Sequence, residues 1–292
     1  MARCLVTGHK GYIGSEVYKQ LKELGHEVMG IDLVDGHDIL ECLKPGTNGN
    51  FHPHWFNFKP EYIFHLAAIP RVAYSVENPV HVIENNVLSS LYVLEFARAC
   101  GAKRVIYSSS SSVVGDGEGA QNPYGASKYM PESMCGVWSR LYGVDTVCLR
   151  YFNVYSPDQK ADGPYATAIA NWMQFIRDGK NPFITGDGTQ SRDMAHKLDV
   201  VLANIFCMEH DGKFSGAWFD VGTGDNISLN DAKKIVTKYF PQVTFDYIAP
   251  RQGDVMHTRA DITALRDLGW SPRHDIIDGI SECFSLLKKE LG

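Results

Sequence analysis

The feature that most constrains the fold stands at the start of the chain. Arg3–Val6 is a short β-type run, and it leads into Thr7-Gly8-His9-Lys10-Gly11-Tyr12-Ile13-Gly14, where a helical pattern begins and continues to Leu24. A strand, a glycine turn and a helix in that order suit one task well. Gly8 supplies the tight turn, and Gly11 lets the backbone approach a pyrophosphate with no Cβ in the way. Gly14 lets the helix pack close to the sheet, and the helix N-terminus faces the phosphate charge. A second run, Glu27–Ile31, ends at Asp32, 18 residues after Gly14, where a carboxylate can accept both hydroxyls of an adenosine ribose. That acid would repel a 2′-phosphate, so the pattern favours NAD over NADP. Arg3 lies inside the strand and Lys10 inside the turn, so neither clearly supplies the arginine that NADP needs.

The alternation continues. Tyr62–Leu66, Arg104–Tyr107 and Thr146–Arg150 read as strands; residues 79–100, with Val82, Val87, Leu91 and Leu94 at helical spacing, and 124–141 read as helices. Strands separated by helices imply right-handed crossovers and an α/β fold with a parallel, doubly wound sheet. Residues 45–59, rich in Gly, Asn, Pro and aromatics, read as a loop with a marginal helical turn. After Arg150 turns at 186–188, 222–224 and 251–254 dominate, which suggests a smaller α+β lobe packed on the first, with a cleft between them.

Composition excludes several classes of function. A net charge of -6 gives no basic field for nucleic acid or anionic membrane, so an anionic substrate would need a local arginine cluster. Seven cysteines, an odd number without a CxxC, suit reduced thiols in a cytoplasmic protein better than a disulfide framework. Among eleven histidines there is no HxxxH or HExxH; His52 and His54 are the closest pair, and no metal is expected. No apolar run approaches a membrane span, and Met1 leads directly into a strand rather than a signal peptide.

The chemistry gathers near the middle of the chain. The strand at 104–107 runs into five serines, Ser108–Ser112, at the carboxyl end where parallel sheets bind ligands. Alone they would read as a flexible loop. Tyr124-Gly125-Ala126-Ser127-Lys128 places a phenol and an ammonium on one helix face, four residues apart. A free tyrosine ionises at about 10, too high for a base at neutral pH. A nearby ammonium and a cationic nicotinamide should lower it, so that a strand serine holds a substrate hydroxyl while the phenolate takes its proton.

With these motifs in place the chain resembles the extended short-chain dehydrogenases/reductases, and within them the nucleotide-sugar 4-epimerases. The resemblance covers nearly the whole chain. Its markers are TGHKGYIG at 7–14, HLAA at 65–68, ENNV at 84–87, the serine strand with Gly115, and YGASK at 124–128. LRYFNV at 149–154, GDGTQSRD at 186–193 and RQGDVMHTRADI at 251–262 complete the set. The resemblance implies a Rossmann domain over 1–150, to which the chain returns at about 192–224, and a nucleotide-sugar lobe over 151–191 and 225–292. It implies NAD contacts at Gly8, Gly11, Tyr12, Ile13, Gly14, Asp32, Asp38, Ile39, Leu66, Ala67, Ala68, Asn86, Ser108 and Tyr151, as well as at Tyr124 and Lys128. Ser110, Tyr124 and Lys128 match the catalytic positions. Asn153, Arg192, Arg251, Asp254 and Thr258 match substrate contacts, with Ser110 and Tyr124 also facing the sugar. The arginines meet the need for local cations, since a guanidinium fork fits a diphosphate.

The related 4,6-dehydratases carry an Asp-Glu pair after the catalytic serine or threonine. Ser111 and Ser112 stand there instead, so elimination has no acid and a 4-epimerase is implied. Thr258 stands seven residues after Arg251, where epimerases restricted to non-acetylated hexoses carry a bulky Tyr. The small residue implies room for UDP-N-acetylglucosamine and UDP-N-acetylgalactosamine beside UDP-glucose and UDP-galactose. A UDP-hexuronate 4-epimerase and a non-catalytic NAD-binding regulator are the alternatives. The chain departs from the family in the eight residues between Gly115 and Tyr124, a short loop, in Val114 where a Tyr is common, and in Pro131, which predicts a kinked helix. Apolar residues on several faces of the helices at 80–100 and 124–142 match the family's dimer interface, so a homodimer is expected.

Overall fold

The computed structural model describes residues 1–115, 117–161, 167–250 and 256–292. The chain forms two compact units: the first comprises residues 1–150 and 201–219, the second 151–200 and 220–292. In the first unit β1 (Arg3–Thr7), β2 (Glu27–Ile31), β3 (Tyr62–His65), β4 (Arg104–Ser110) and β5 (Asp145–Tyr151) lie in the order β2-β1-β3-β4-β5, followed by the strand Ala217–Val221. The pairs β1–β2, β1–β3 and β3–β4 are parallel, with Leu5 opposite Met29 and Ile63, and Phe64 opposite Ile106. Strands covered on both faces should read as unbroken apolar runs. Accordingly Cys4–Val6, Ile63, Phe64, Val105, Ile106 and Val147–Leu149 are all buried.

The strand order reverses at β1, which is flanked by β2 on one side and β3 on the other, and ligands of such sheets sit beyond the carboxyl ends there. The helix Gly14–Glu23 follows β1 as the glycine pattern predicts, and buries Val17 and Leu21.

Residues 79–100 differ from the single helix expected. An α-helix at Pro79–Ile83 passes into a π-helical segment at Glu84–Leu88 and returns to α-helix at Ser89–Cys100. The wider turn falls on Asn86, a buried amide with partners outside the helix. The tyrosine helix spans Pro123–Tyr142 and is capped by Asn122, whose Oδ1 accepts from the Gly125 amide at 2.8 Å. It is one helix through Pro131. The expected turn in the 45–59 stretch is a short helix, Pro53–Phe56, with Trp55 buried.

The second unit has its own apolar cluster, in which Trp172, Met173, Ile184, Val236, Ile280 and Phe284 are buried. Its helices are Ala168–Arg177, Leu229–Tyr239 and Ile276–Leu291. Strands Phe183–Thr185 and Asp246–Ile248 pair in parallel, and Ser191–Arg192 pairs antiparallel with Ile227–Ser228. Among the described residues no helix is long and apolar enough to cross a membrane, and all seven cysteines are free thiols.

Candidate active site

Gly8 ends β1 with φ +73°, the left-handed region that favours glycine, and its amide donates to the Ile31 carbonyl at 2.8 Å. A Cβ on Gly8 would lie 2.8 Å from the Ala67 nitrogen, so the turn after β1 touches the loop after β3. Thr7 joins the same two segments: its Oγ1 accepts from the Ala67 amide at 3.2 Å, and its carbonyl accepts from Leu66. The Gly11 amide donates to Gly8 O at 2.9 Å, and a Cβ on Gly14 would sit 2.1 Å from that same oxygen. This is a cradle that side chains would fill, and Tyr12 and Ile13, half-buried, form its rim.

Asp32 braces the cradle from β2. Its Oδ2 accepts from the Lys10 amide at 2.9 Å and its Oδ1 from the Val34 amide at 3.0 Å. A carboxylate has about four acceptor positions, so two more hydrogen bonds remain available for vicinal ribose hydroxyls. Lys10 is engaged elsewhere: its ammonium lies 3.7 Å from Asp35, which also takes His9 Nε2 at 2.9 Å. Asp38 caps the short helix Ile39–Cys42, accepting from the Leu40 amide, and Ile39 is in the core. Asn86 has an internal task in this structure. Its Oδ1 accepts from the Ile69 amide at 2.8 Å and its Nδ2 donates to Ser127 Oγ at 2.9 Å, tying the loop that holds Ala67 and Ala68 to the tyrosine helix.

Ser110 and Tyr124 are both buried, and the Ser110 hydroxyl is near enough to the phenol to favour its ionised form. Ser110 Oγ also accepts from the Ser112 amide at 3.2 Å, so the serine run is a capped turn at the end of β4 rather than a flexible loop. Lys128 is buried, donates to the Ser108 carbonyl at 2.9 Å and lies 5.2 Å from the centre of the Tyr107 ring. Burial pushes the Lys128 ammonium down to about 7, against the opposing pull of Glu132. Burial raises the Tyr124 phenol above its ordinary value, and the neighbouring Ser110 hydroxyl only partly offsets this. The lowered phenol expected beside both an ammonium and a cationic nicotinamide is thus not a property of the chain without its cofactor. Burial thus disfavours the charged form of both groups, the ammonium of Lys128 and the phenolate of Tyr124.

In the second unit Asn153 adopts φ +36° and donates to Asp193 O at 2.7 Å and to Thr258 Oγ1 at 3.5 Å. Arg192 Nη1 donates to the carbonyls of Ser191 and Met256 at 3.0 and 3.2 Å. Asn153, Arg192 and Thr258 are thus assembled around one short strand. Tyr151 is buried at the end of β5, and Arg251 and Asp254 lie outside the described residues. Sequence reasoning missed what holds this cluster, the fully buried Asp193. Its carboxylate accepts from the amides of Thr223, Gly224 and Ala260 and from Thr223 Oγ1.

It also missed His196, His274 and Glu282, whose ligand atoms lie within 4.8 Å of one another. His196 Nδ1 accepts from the Leu198 amide at 3.3 Å, which puts the ring proton of the neutral imidazole on Nε2, the nitrogen that faces Glu282. A metal would need that nitrogen's lone pair, so the tautomer disfavours one.

Comparison with known proteins agrees with this geometry. Residues 4–222 match the model of the NAD dependent epimerase/dehydratase family. A UDP-glucose 4-epimerase of Mycolicibacterium smegmatis is 30% identical, the alignment covering 99% of each chain. A UDP-N-acetylglucosamine 4-epimerase of Methanobrevibacter ruminantium, solved with UDP-N-acetylmuramic acid, superposes with TM-score 0.87 at 28% identity over 99% of both chains. A UDP-glucuronic acid 4-epimerase of Bacillus cereus, solved with UDP-glucuronic acid and NAD, gives 0.84 at 26% identity, again over 99% of both. The chain belongs to the NAD-dependent epimerase/dehydratase family, and NAD is its cofactor.

Proposed function

We propose that this protein is a UDP-sugar 4-epimerase that inverts C4 through a 4-keto intermediate, with UDP-N-acetylhexosamines and UDP-hexoses as its substrates. The observation that carries the reading is the buried Ser110–Tyr124 pair at the end of β4, with Lys128 one turn along and hydroxyls rather than acids at Ser111 and Ser112. NAD, when bound, supplies the hydride acceptor and then the hydride donor for C4.

The chain's own groups do the rest. Tyr124 takes the proton from the sugar O4 and returns it after the keto sugar has turned. Ser110, as partner to the Tyr124 phenol, holds O4 in line. Lys128, fixed by the Ser108 carbonyl, holds the nicotinamide ribose and adds positive charge beside the phenol. The glycine cradle takes the pyrophosphate of the cofactor, and Asp32 takes its ribose. Arg192 and Arg251 would clamp the diphosphate of the substrate, and Asp254 and Asn153 would serve as further substrate contacts. Thr258 would leave room for an N-acetyl group.

A panel of UDP-glucose, UDP-N-acetylglucosamine and UDP-glucuronate separates the alternatives. Conversion of the N-acetylated sugar supports the reading, and conversion of UDP-glucuronate alone would move it to a hexuronate epimerase. Exposed Val80, Leu88, Tyr129, Met130, Val137 and Leu141 on the two helical stretches support a homodimer, which a monomeric mass at micromolar concentration would contradict. Seven free thiols support residence in the reducing cytoplasm.

A further inference from the structure

The mechanism above makes no use of a buried carboxylate on the tyrosine helix. Glu132 stands one turn beyond Lys128, as Lys128 stands one turn beyond Tyr124, so the three share a face. Glu132 is 7% exposed, yet it is fully engaged. Its Oε1 accepts from Ser109 Oγ at 2.5 Å and from Arg150 Nε at 2.9 Å, and its Oε2 accepts from Arg150 Nη2 at 2.7 Å. The Arg150 guanidinium lies 3.7 Å from the centre of the Trp218 ring. Ser109 immediately precedes Ser110, and Arg150 lies on the neighbouring strand β5.

We infer that Glu132 is a positioning residue for the reaction: held by Ser109 and Arg150, it fixes the Tyr124–Lys128 face against the serine strand and sets a negative charge one turn from the Lys128 ammonium. A buried ion pair kept only for stability could sit anywhere in the core. This one joins the strand that carries Ser110 to the helix that carries Tyr124, and its Ser109 bond is adjacent to the catalytic serine. Burial favours neutral Lys128, and Glu132 opposes that effect.

The other groups around Lys128 add no negative charge. Tyr107 is a neutral phenol whose hydroxyl donates to the Lys128 carbonyl at 3.4 Å, and His65 is a neutral imidazole. Around Glu132, Cys148 is a neutral thiol, and Arg150 supplies the compensating cation.

The inference rests on the epimerase reading, and the test keeps the two apart. In the NAD-loaded protein the alkaline fall in epimerisation should follow Lys128 as it loses its proton. In Glu132→Gln the alkaline limb should move down by about one unit, with kcat reduced and KM for the UDP-sugar unchanged. Glu132→Asp, which keeps the charge, should leave that limb in place. If Glu132→Gln does not fold, Glu132→Gln/Arg150→Gln, which leaves no charge buried alone, should move the limb in the same direction by less, because a cation leaves with the carboxylate. An alkaline limb unmoved in the folded charge-free variant overturns the inference, whatever the loss of thermal stability. A wild-type protein inactive on every UDP-sugar overturns the epimerase reading instead.

Discussion

Gly14→Ala tests the cradle at its tightest point. The added Cβ would lie 2.1 Å from the Gly8 carbonyl oxygen and 2.8 Å from its carbon, whereas ordinary contact begins at 3.4 Å. Neither partner can swing away, because both are backbone. Gly8 is held to Ile31 at 2.8 Å, and the helix is held by Ser15 N to Gly11 O at 3.0 Å and Val17 N to Ile13 O at 3.1 Å. The helix must therefore withdraw by more than 1 Å, an overpacking cost of about 1–3 kcal/mol. Withdrawal also carries the helix N-terminus away from the pyrophosphate. Losing one charge-assisted hydrogen bond of about 1.5–3 kcal/mol weakens the complex by roughly 10- to 100-fold. The assay is NAD released per chain on heat denaturation, read with the unfolding midpoint. Gly25→Ala is the control: Gly25 is left-handed at φ +80° with nothing within 4 Å, so it should lose about 1 kcal/mol and keep its NAD. A Gly14→Ala protein with full NAD content and wild-type stability would refute the reasoning.

Two further predictions concern buried charge. Burial, helped by the Lys128 charge, holds His65 down to about 3, below the ordinary value near 6.5. The depressed group leaves stability intact above about 6.5, and stability falls as pH drops toward 3, by about 1.5 kcal/mol between pH 6.5 and 5. Urea unfolding at those two pH values should show the loss in wild type and a smaller one in His65→Asn; equal slopes would contradict the assignment. Arg104 bonds to Asp145 at 2.6 Å and also donates to the carbonyls of Cys207, His210 and Gly212. Arg104→Met strands the Asp145 carboxylate and should cost about 3–5 kcal/mol in urea unfolding. A loss below 1 kcal/mol would show that the pair is solvated.

Much of the cofactor unit was legible because its signals are local. The Gly8–Gly14 turn, Asp32 after β2 and the Tyr124–Lys128 spacing each depend on a few neighbouring residues. What escaped depends on partners far along the chain. The π-helical turn at 84–88 brings Asn86 to Ile69 and Ser127, and nothing in its own sequence says so. Glu132 is a plain helical glutamate until β4 and β5 place Ser109 and Arg150 beside it. Asp193 was passed over because its donors lie some 30 to 67 residues away. The raised phenol of the cofactor-free chain was not legible either, because side-chain pattern predicts neighbours, while burial, the larger effect, is a property of the fold.

The account stands or falls on Tyr124 as the group that moves the proton. Purified protein should be incubated with UDP-N-acetylglucosamine and no added NAD, and the products separated by chromatography. The account predicts the C4 epimer from the wild-type protein. It predicts none above background from Tyr124→Phe, with NAD still bound in both. Epimer formed at the wild-type rate by Tyr124→Phe would contradict it.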